Sequence, residues 1–316
     1  MKEKYLFFAG KSKKNQLKHQ LEVNGQFFKL SNGERFTAIE HSDFNLLNRF
    51  QHEENIKGIL EQRSNIGFNM LRVWTAYDIP NIGTFLDIDY EIIPSFVNLC
   101  ADYGLYIEFT AYTGINDKNH WWSLVNAGIN CRIKPILELV NELDQNMNEP
   151  DLFGRIFNLS DYFQPDGLLT SHGSNGSEHL PVIPHWSYAT FHTNDASEWW
   201  RKVGHNAMEI WSGPTLSNEN TRFDHDSSLV HAYGAAKGAA LLCVGSCCHT
   251  VGGKKSELLV GDELEWAKEW VRGAKEVNLI CQQGPYVHRI DLEGPDILRT
   301  YERPVEGINC IVEIRK

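Results

Sequence analysis

The sequence predicts an α/β fold: a (β/α)8 barrel with a short N-terminal hairpin and a small C-terminal β appendage. Three observations predict it. Short apolar runs alternate with polar loops and helical stretches along most of the chain, which is how a parallel sheet wrapped in helices reads. Eight such runs fall between residues 35 and 244. No Pro/Ser-rich linker or low-complexity segment divides the 316 residues, so the alternation belongs to one large unit.

The elements follow in order. Gly25–Leu30 and Arg35–Glu40 flank Asn32-Gly33, a strong hairpin turn, and Arg35–Glu40 is also the candidate for barrel strand one. Ile56, Ile59, Leu60 and Arg63 recur at helical spacing within a helix over about 48–64. Gly67 precedes strand two, Phe68–Trp74. Ile93, Phe96, Val97 and Cys100 stand at i, i+3, i+4 and i+7, one face of a helix, and Gly104 is placed to terminate it. Strand three is Leu105–Thr110, strand four Ile136–Val140, and strand five the short Leu168–Thr170. The Gly-, Ser- and Pro-containing stretch 172–186 leaves no room for an ordinary helix after it. Strand six is Tyr188–Phe191, and Asp195 is a good N-cap for the helix that follows through Trp199, Trp200 and Val203. Strand seven is Pro214–Ser217, a helix covers about 227–239, and strand eight is Ala240–Val244. Asp262–Glu265 opens the last helix, with Leu264, Ala267, Trp270, Val271 and Ala274 as its buried stripe. Strand-like alternation returns over about 285–316. The expected organisation is a basic tail over 1–20, a TIM-type barrel over 21–280 and a β segment over 281–316 packed on it.

Composition excludes several classes. No stretch approaches the roughly 18 apolar residues that span a bilayer, and the apolar run Tyr5–Gly10 is too short for a secretory signal. The expectation is a soluble protein, cytoplasmic or released by lysis as a phage-borne protein would be, with no membrane partner. Net charge is −11, although residues 1–20 carry six Lys against one Glu. The body is therefore acidic, which argues against nucleic acid as a partner. Seven Cys, an odd number with no paired CxxC spacing, read as reduced and mostly buried thiols. Zinc held by Cys247, Cys248 and His249 is disfavoured, because successive strand residues face opposite ways.

Function in such a barrel sits at the C-terminal strand ends. Strand two ends in Arg72 and Trp74, strand three near Tyr112, strand four in Asn141-Glu142, strand five in His172, strand six in His192, strand seven in Asn218-Glu219 and strand eight in His249. Two of these ends offer a carboxylate just past an apolar run. Nine Trp and eleven Tyr supply rings on which sugar C–H faces could stack; Trp74, Tyr112, Trp121, Trp122 and Trp186 are the candidates, whereas Trp199, Trp200 and Trp211 read as structural.

This pattern resembles the clan of retaining (β/α)8-barrel glycoside hydrolases that includes family 5 cellulases and mannanases. Its members carry an Asn-Glu pair after strand four and a Glu after strand seven, which here are Asn141-Glu142 and Glu219. Gly67–Trp74 is similar to the clan's strand two, whose Arg helps hold the nucleophile, and His192 matches a strand-six His that lines the sugar site. The resemblance covers about residues 25–275. It implies a carbohydrate substrate, no cofactor, Glu142 as acid/base, Glu219 as nucleophile, and Arg72, Asn141, His192, Trp74, Tyr112 and His249 as substrate-binding residues. Retention requires two carboxyls about 5–5.5 Å apart, one protonated and one ionised, and a hydrogen bond from Asn141 to the sugar 2-hydroxyl would strengthen in the transition state. Arg72 would keep Glu219 ionised, and the charge on Glu219 would favour a proton on Glu142.

Two departures bear on the substrate. Asn194 stands where the clan often has an aromatic, and strand eight runs on as Gly245–His249 without the Trp that commonly floors the sugar site. Two other readings compete. A non-catalytic carbohydrate-binding barrel fits the missing signal peptide, but not the retention of both Glu. A metal-dependent amidohydrolase-type barrel fits thirteen His, with His172 and His192 at successive strand ends, but not the absence of a His-x-His pair after strand one.

Overall fold

The computed structural model describes residues 16–80, 82–111, 118–139, 141, 167–171, 173–174, 187–192, 213–219 and 221–280, and the strands at 287–291, 297–305 and 308–315. Three short strands come first: β1 (Leu21–Asn24), β2 (Phe27–Leu30) and β3 (Arg35–Phe36), paired antiparallel in that order. Gly25 (φ +59°) and Gly33 (φ +92°) make the two turns in the left-handed region that a Cβ disfavours. The Asn32-Gly33 turn is as expected. Arg35 and Phe36, however, stay with the hairpin, and barrel strand one begins at Ala38 instead.

The barrel strands are β4 (Ala38–Ser42), β5 (Met70–Trp74), β8 (Tyr106–Thr110), β9 (Ile136–Glu138), β10 (Thr170–Ser171), β11 (Gly173–Ser174), β12 (Ala189–His192), β13 (Thr215–Glu219) and β14 (Gly245–Cys248). A small hairpin, β6 (Tyr77–Ile79) with β7 (Gly83–Phe85), follows β5. The sheet order is β10-β9-β8-β5-β4-β14-β13-β12-β11, and every neighbouring pair is parallel. Its two ends are consecutive pieces of the same strand: β10 pairs with β9 and β11 with β12. The ring therefore runs from strand five round to strand five, as a (β/α)8 barrel requires.

Helices pack outside the sheet. The helix Ile93–Asp102 is where its apolar spacing put it, and Gly104 (φ +79°) follows with its N–H donating to Ala101 O at 3.1 Å. The single helix expected over 48–64 is two, Leu46–Gln51 and Lys57–Ile66, interrupted where Glu53 takes φ +62°.

Strand eight is the main correction. Ala240–Leu242 continue the helix Leu229–Leu242, and the strand starts at Gly245. The Ala-rich run has high helix propensity, and Cys243 N still donates to Ala239 O at 2.8 Å. Gly245 (φ +147°) then lets the chain lie against strand one: a Cβ there would sit 2.1 Å from Ala38 O.

Two cores result. Outward residues such as Ile39, Leu71, Val73, Ile107, Phe109 and Leu137 pack under the helices, with Trp266 and Trp270. Inward residues Ala38, Met70, Tyr106, Ile136, Tyr188, Leu216 and Val244 form an apolar plug, completed by Phe28 and Phe36 of the hairpin. Phe36 meets Tyr106 edge-on at 5.0 Å, and Phe28 meets Tyr188 at 5.6 Å. The end of the basic segment is fastened here: Leu17 N donates to Ala101 O, and the Gln20 side chain bonds both Arg132 O and Lys134 N. The expected C-terminal appendage is a separate three-stranded sheet, in the order β15 (Val287–Asp291), β17 (Ile308–Arg315), β16 (Ile297–Val305).

Candidate active site

Side chains alternate along a strand, so residues two apart share a face. Two positions beyond the apolar plug, four successive strands turn a charged group inward: Glu40 after Ala38, Arg72 after Met70, Glu108 after Tyr106 and Glu138 after Ile136. All four are fully buried. Arg72 is the only cation among them and lies in register with Glu108.

Glu138 is the hub. Its Oε2 accepts from Arg72 Nε (3.0 Å), Arg72 Nη2 (2.5 Å) and Thr110 Oγ1 (2.8 Å). Its Oε1 accepts from Asn218 Nδ2 (2.8 Å), Thr190 Oγ1 (3.1 Å) and His192 Nε2 (3.3 Å). Burial alone would raise this carboxyl, but Arg72 and His192 hold it well below the usual range. Arg72 stays charged despite burial because Glu138, Glu219 and Glu108 surround it. Glu108, which accepts from Tyr188 Oη at 2.6 Å, is pushed up to about 7 by burial and by Glu138. Burial and Glu108 push Glu40 well above its ordinary range.

One step higher are the strand ends. Glu219 closes β13, and its Oε2 lies 3.4 Å from Arg72 Nη1 and 3.5 Å from His192 Nδ1. A register shift between β12 and β13 puts His192 opposite Glu219, although Thr190 is opposite Leu216. Such a bulge re-aims side chains at a barrel rim. Burial raises Glu219, while His249, His192, Arg72 and Arg222 bring it down to about 2. His249, just past β14, donates from Nε2 to Asn218 O at 2.8 Å, and burial drives it down to about 3, so its imidazole is neutral at neutral pH.

Of the residues singled out from sequence, the structure thus brings together Arg72, Asn141, His192, Glu219 and His249. The Oδ1 of Asn141 accepts from Arg72 Nη2 at 2.6 Å, which fixes that side chain beside Arg72. Trp74 is a correction. Its ring stacks on Phe44 with centroids 3.6 Å apart, and the Arg72 guanidinium lies 4.3 Å over it; it braces Arg72 rather than offering a face to a sugar. Trp121 is likewise core. Glu142, Tyr112, His172, Trp186 and Asn194 lie outside the described residues.

Glu138 and Glu108 were not singled out from sequence. The signal was present: a charged residue at the third place of Ala38-Ile39-Glu40, Met70-Leu71-Arg72, Tyr106-Ile107-Glu108 and Ile136-Leu137-Glu138. Charge repeating at one register inside apolar strands marks a polar layer in the barrel. Among the described residues no cluster of His, Cys, Asp and Glu is arranged to hold a metal ion. The five described cysteines are buried.

No protein-family model matches the chain, and no curated protein matches it in sequence. Solved structures do match. The β-mannanase of the blue mussel Mytilus edulis superposes with a TM-score of 0.56 at 14% identity, over 79% of this chain and 96% of that one. The endo-1,4-β-mannanase of Rhizomucor miehei gives 0.58 at 12% identity, over 81% and 99%. The exo-β-1,4-mannosidase Op5Man5 of an Opitutaceae bacterium gives 0.54 at 14% identity, over 84% of this chain but 63% of that one. At such identities the likeness is one of fold: the chain is a (β/α)8 barrel similar to those of glycoside hydrolase family 5.

Proposed function

We propose that the protein is a retaining glycoside hydrolase, with Glu219 as nucleophile and Glu142 as acid/base. The observation that carries this reading is Glu219 itself: a carboxylate at the rim of the barrel, held ionised by Arg72 and faced by His192. A group kept anionic at a strand end, with its cation Arg72 itself held by Glu138, suits attack on an electrophilic carbon. In the first step Glu219 bonds to the anomeric carbon, the bond to the leaving oxygen breaks, and the proton of Glu142 passes to that oxygen. In the second, water attacks the same carbon, gives its proton to Glu142 and releases Glu219. Asn141, tied to Arg72 through its Oδ1, is the residue we assign to the sugar 2-hydroxyl. The mannanases and mannosidase of similar fold make β-1,4-linked mannosides the first substrates to try.

The test is turnover of mannohexaose and 4-nitrophenyl β-D-mannopyranoside, with the anomer of the first-formed product read by NMR. Retention is expected. Glu219→Gln and Glu142→Gln should each lose on the order of 10⁴-fold in kcat with unchanged folding, and azide should rescue Glu219→Gly by forming the glycosyl azide of inverted configuration. Near-native rates in both Gln variants would overturn the assignment.

A further inference from the structure

Beyond β13 the chain turns through a short charged stretch. Arg222 forms a parallel bridge with His249, and Phe223 N donates to His249 O at 3.0 Å. This ties the segment after strand seven to the end of strand eight. The Arg222 guanidinium grips Asp224 with two atoms, Nε to Oδ1 at 3.3 Å and Nη2 to Oδ2 at 3.1 Å. Asp224 Oδ2 is also held by Lys254 Nζ at 2.8 Å, from the short helix Val251–Lys255. The third guanidinium nitrogen, Nη1, stands 3.8 Å from Glu219 Oε1.

We propose that Arg222 is a positioning residue for Glu219, supplying a fixed cation to Oε1 while leaving that oxygen's lone pairs open for attack. The proposal rests on the reading of Glu219 as nucleophile. The geometry divides the carboxylate's two oxygens: Oε2 faces Arg72 and His192 from the barrel interior, and Oε1 faces Arg222. A separation of 3.8 Å is beyond a hydrogen bond yet close enough for strong attraction. A hydrogen bond would occupy the attacking lone pair; an ion pair just outside that distance keeps the oxygen anionic without doing so. The two-pronged hold of Asp224, itself fixed by Lys254, stops the guanidinium from collapsing onto Glu219.

The charged and titratable groups around Glu219 among the described residues are Arg72 from β5, with Glu108 and Glu138 behind it, His192 from β12, His249 past β14, and Arg222, with Asp224 and Lys254 behind it. His249 is neutral at neutral pH, so Arg72 and Arg222 are the permanent cations of the set. They differ in exposure: Arg72 is fully buried, whereas the Arg222 side chain is 22% exposed. Salt should therefore screen the second and spare the first.

The experiment is a ¹³C NMR titration of the full chain labelled at glutamate Cδ, with the Glu219 signal assigned by its loss in Glu219→Gln. In Arg222→Met the Glu219 pKa should rise by about one unit. In Arg222→Lys, which keeps the charge, it should rise by less. High salt should raise it in the parent protein and leave Arg222→Met unchanged. The acid limb of kcat/KM on 4-nitrophenyl β-D-mannopyranoside should move up by the same amount as the NMR value. A purely structural ion pair would move none of these. An Arg222→Met protein with native circular dichroism and an unshifted Glu219 titration would overturn the proposal. If that variant does not fold, the salt titration of the parent decides instead, and a salt-independent value overturns it. Should the parent turn over no glycoside, the glycosidase reading fails, while the titrations still judge the Arg222–Glu219 linkage.

Discussion

The inside of the barrel has two storeys of opposite character. The lower, Ala38, Met70, Tyr106, Ile136, Leu216 and Val244 with the hairpin's Phe28 and Phe36, is apolar and closes the N-terminal end. The upper, two residues further along the same strands, holds Glu40, Arg72, Glu108 and Glu138. Both are equally buried, so burial alone does not distinguish a packed layer from a chemical one. The lower storey gains from the hydrophobic effect. The upper storey costs desolvation, which one guanidinium and a set of neutral donors offset at Glu138 and Glu108. The barrel thus keeps its stabilising layer apart from the layer that aims Arg72 at Glu219.

The sharpest way to break this contrast is Arg72→Met, which strips Glu138 and Glu219 of their shared cation. A loss of about 3–5 kcal/mol is expected, together with catalysis, read from urea midpoints and turnover; a loss under about 1 kcal/mol would mean that the neutral donors suffice. Next comes the seam of the lower storey. Gly245→Ala forces a Cβ to 2.1 Å from Ala38 O at a positive φ, and should cost about 1–3 kcal/mol or more; an unchanged thermal midpoint would show that β14 can shift away from β4.

A third prediction uses pH. The folded pKa of Glu108 stands near 7 against an ordinary 4.5. A carboxyl raised in this way favours the folded state below the ordinary value, and that stability drains away as pH climbs through about 7. Glu108→Gln keeps an oxygen for the Tyr188 hydroxyl and removes the titration. Its urea midpoint should therefore fall less between pH 5 and pH 8 (roughly the span of the shift) than that of the parent, which it should exceed at the upper end. Parallel curves would assign the pH response to other groups. The smallest effect belongs to the lower storey: Met70→Leu, of similar volume, should cost less than about 1.5 kcal/mol and leave the pH–rate profile unmoved. A displaced profile would show that the storeys are mechanically coupled.

Much of this was legible without coordinates, for reasons that differ by element. Seven of the eight barrel strands lie within a few residues of where apolar runs between turn signals put them, because strand-forming tendency is local. Strand eight was misplaced because Ala240–Val244 is equally consistent with helix, and only the docking of Gly245 against Ala38 decides the matter. Arg72, Asn141, His192, Glu219 and His249 were legible as polar groups at strand ends. Trp74 was misread because an aromatic at a strand end can face either a ligand or a neighbour, and Phe44, thirty positions earlier, takes its ring.

The sequence by itself therefore determined the barrel, its hairpin and appendage, and which end of the sheet gathers the polar groups, since all of these follow from periodicity and from the order of residues along single strands. Only the tertiary structure decided who meets whom: that Glu138 is the hub, that a bulge sets His192 opposite Glu219, and that Arg222 stands beside the outer oxygen. Most of these contacts depend on register and closure around the ring, which bring together residues distant in the chain (Tyr188 and Glu108, or Asn218 and Glu138, are 80 positions apart); even Arg222, only three positions from Glu219, is aimed by its bridge to His249.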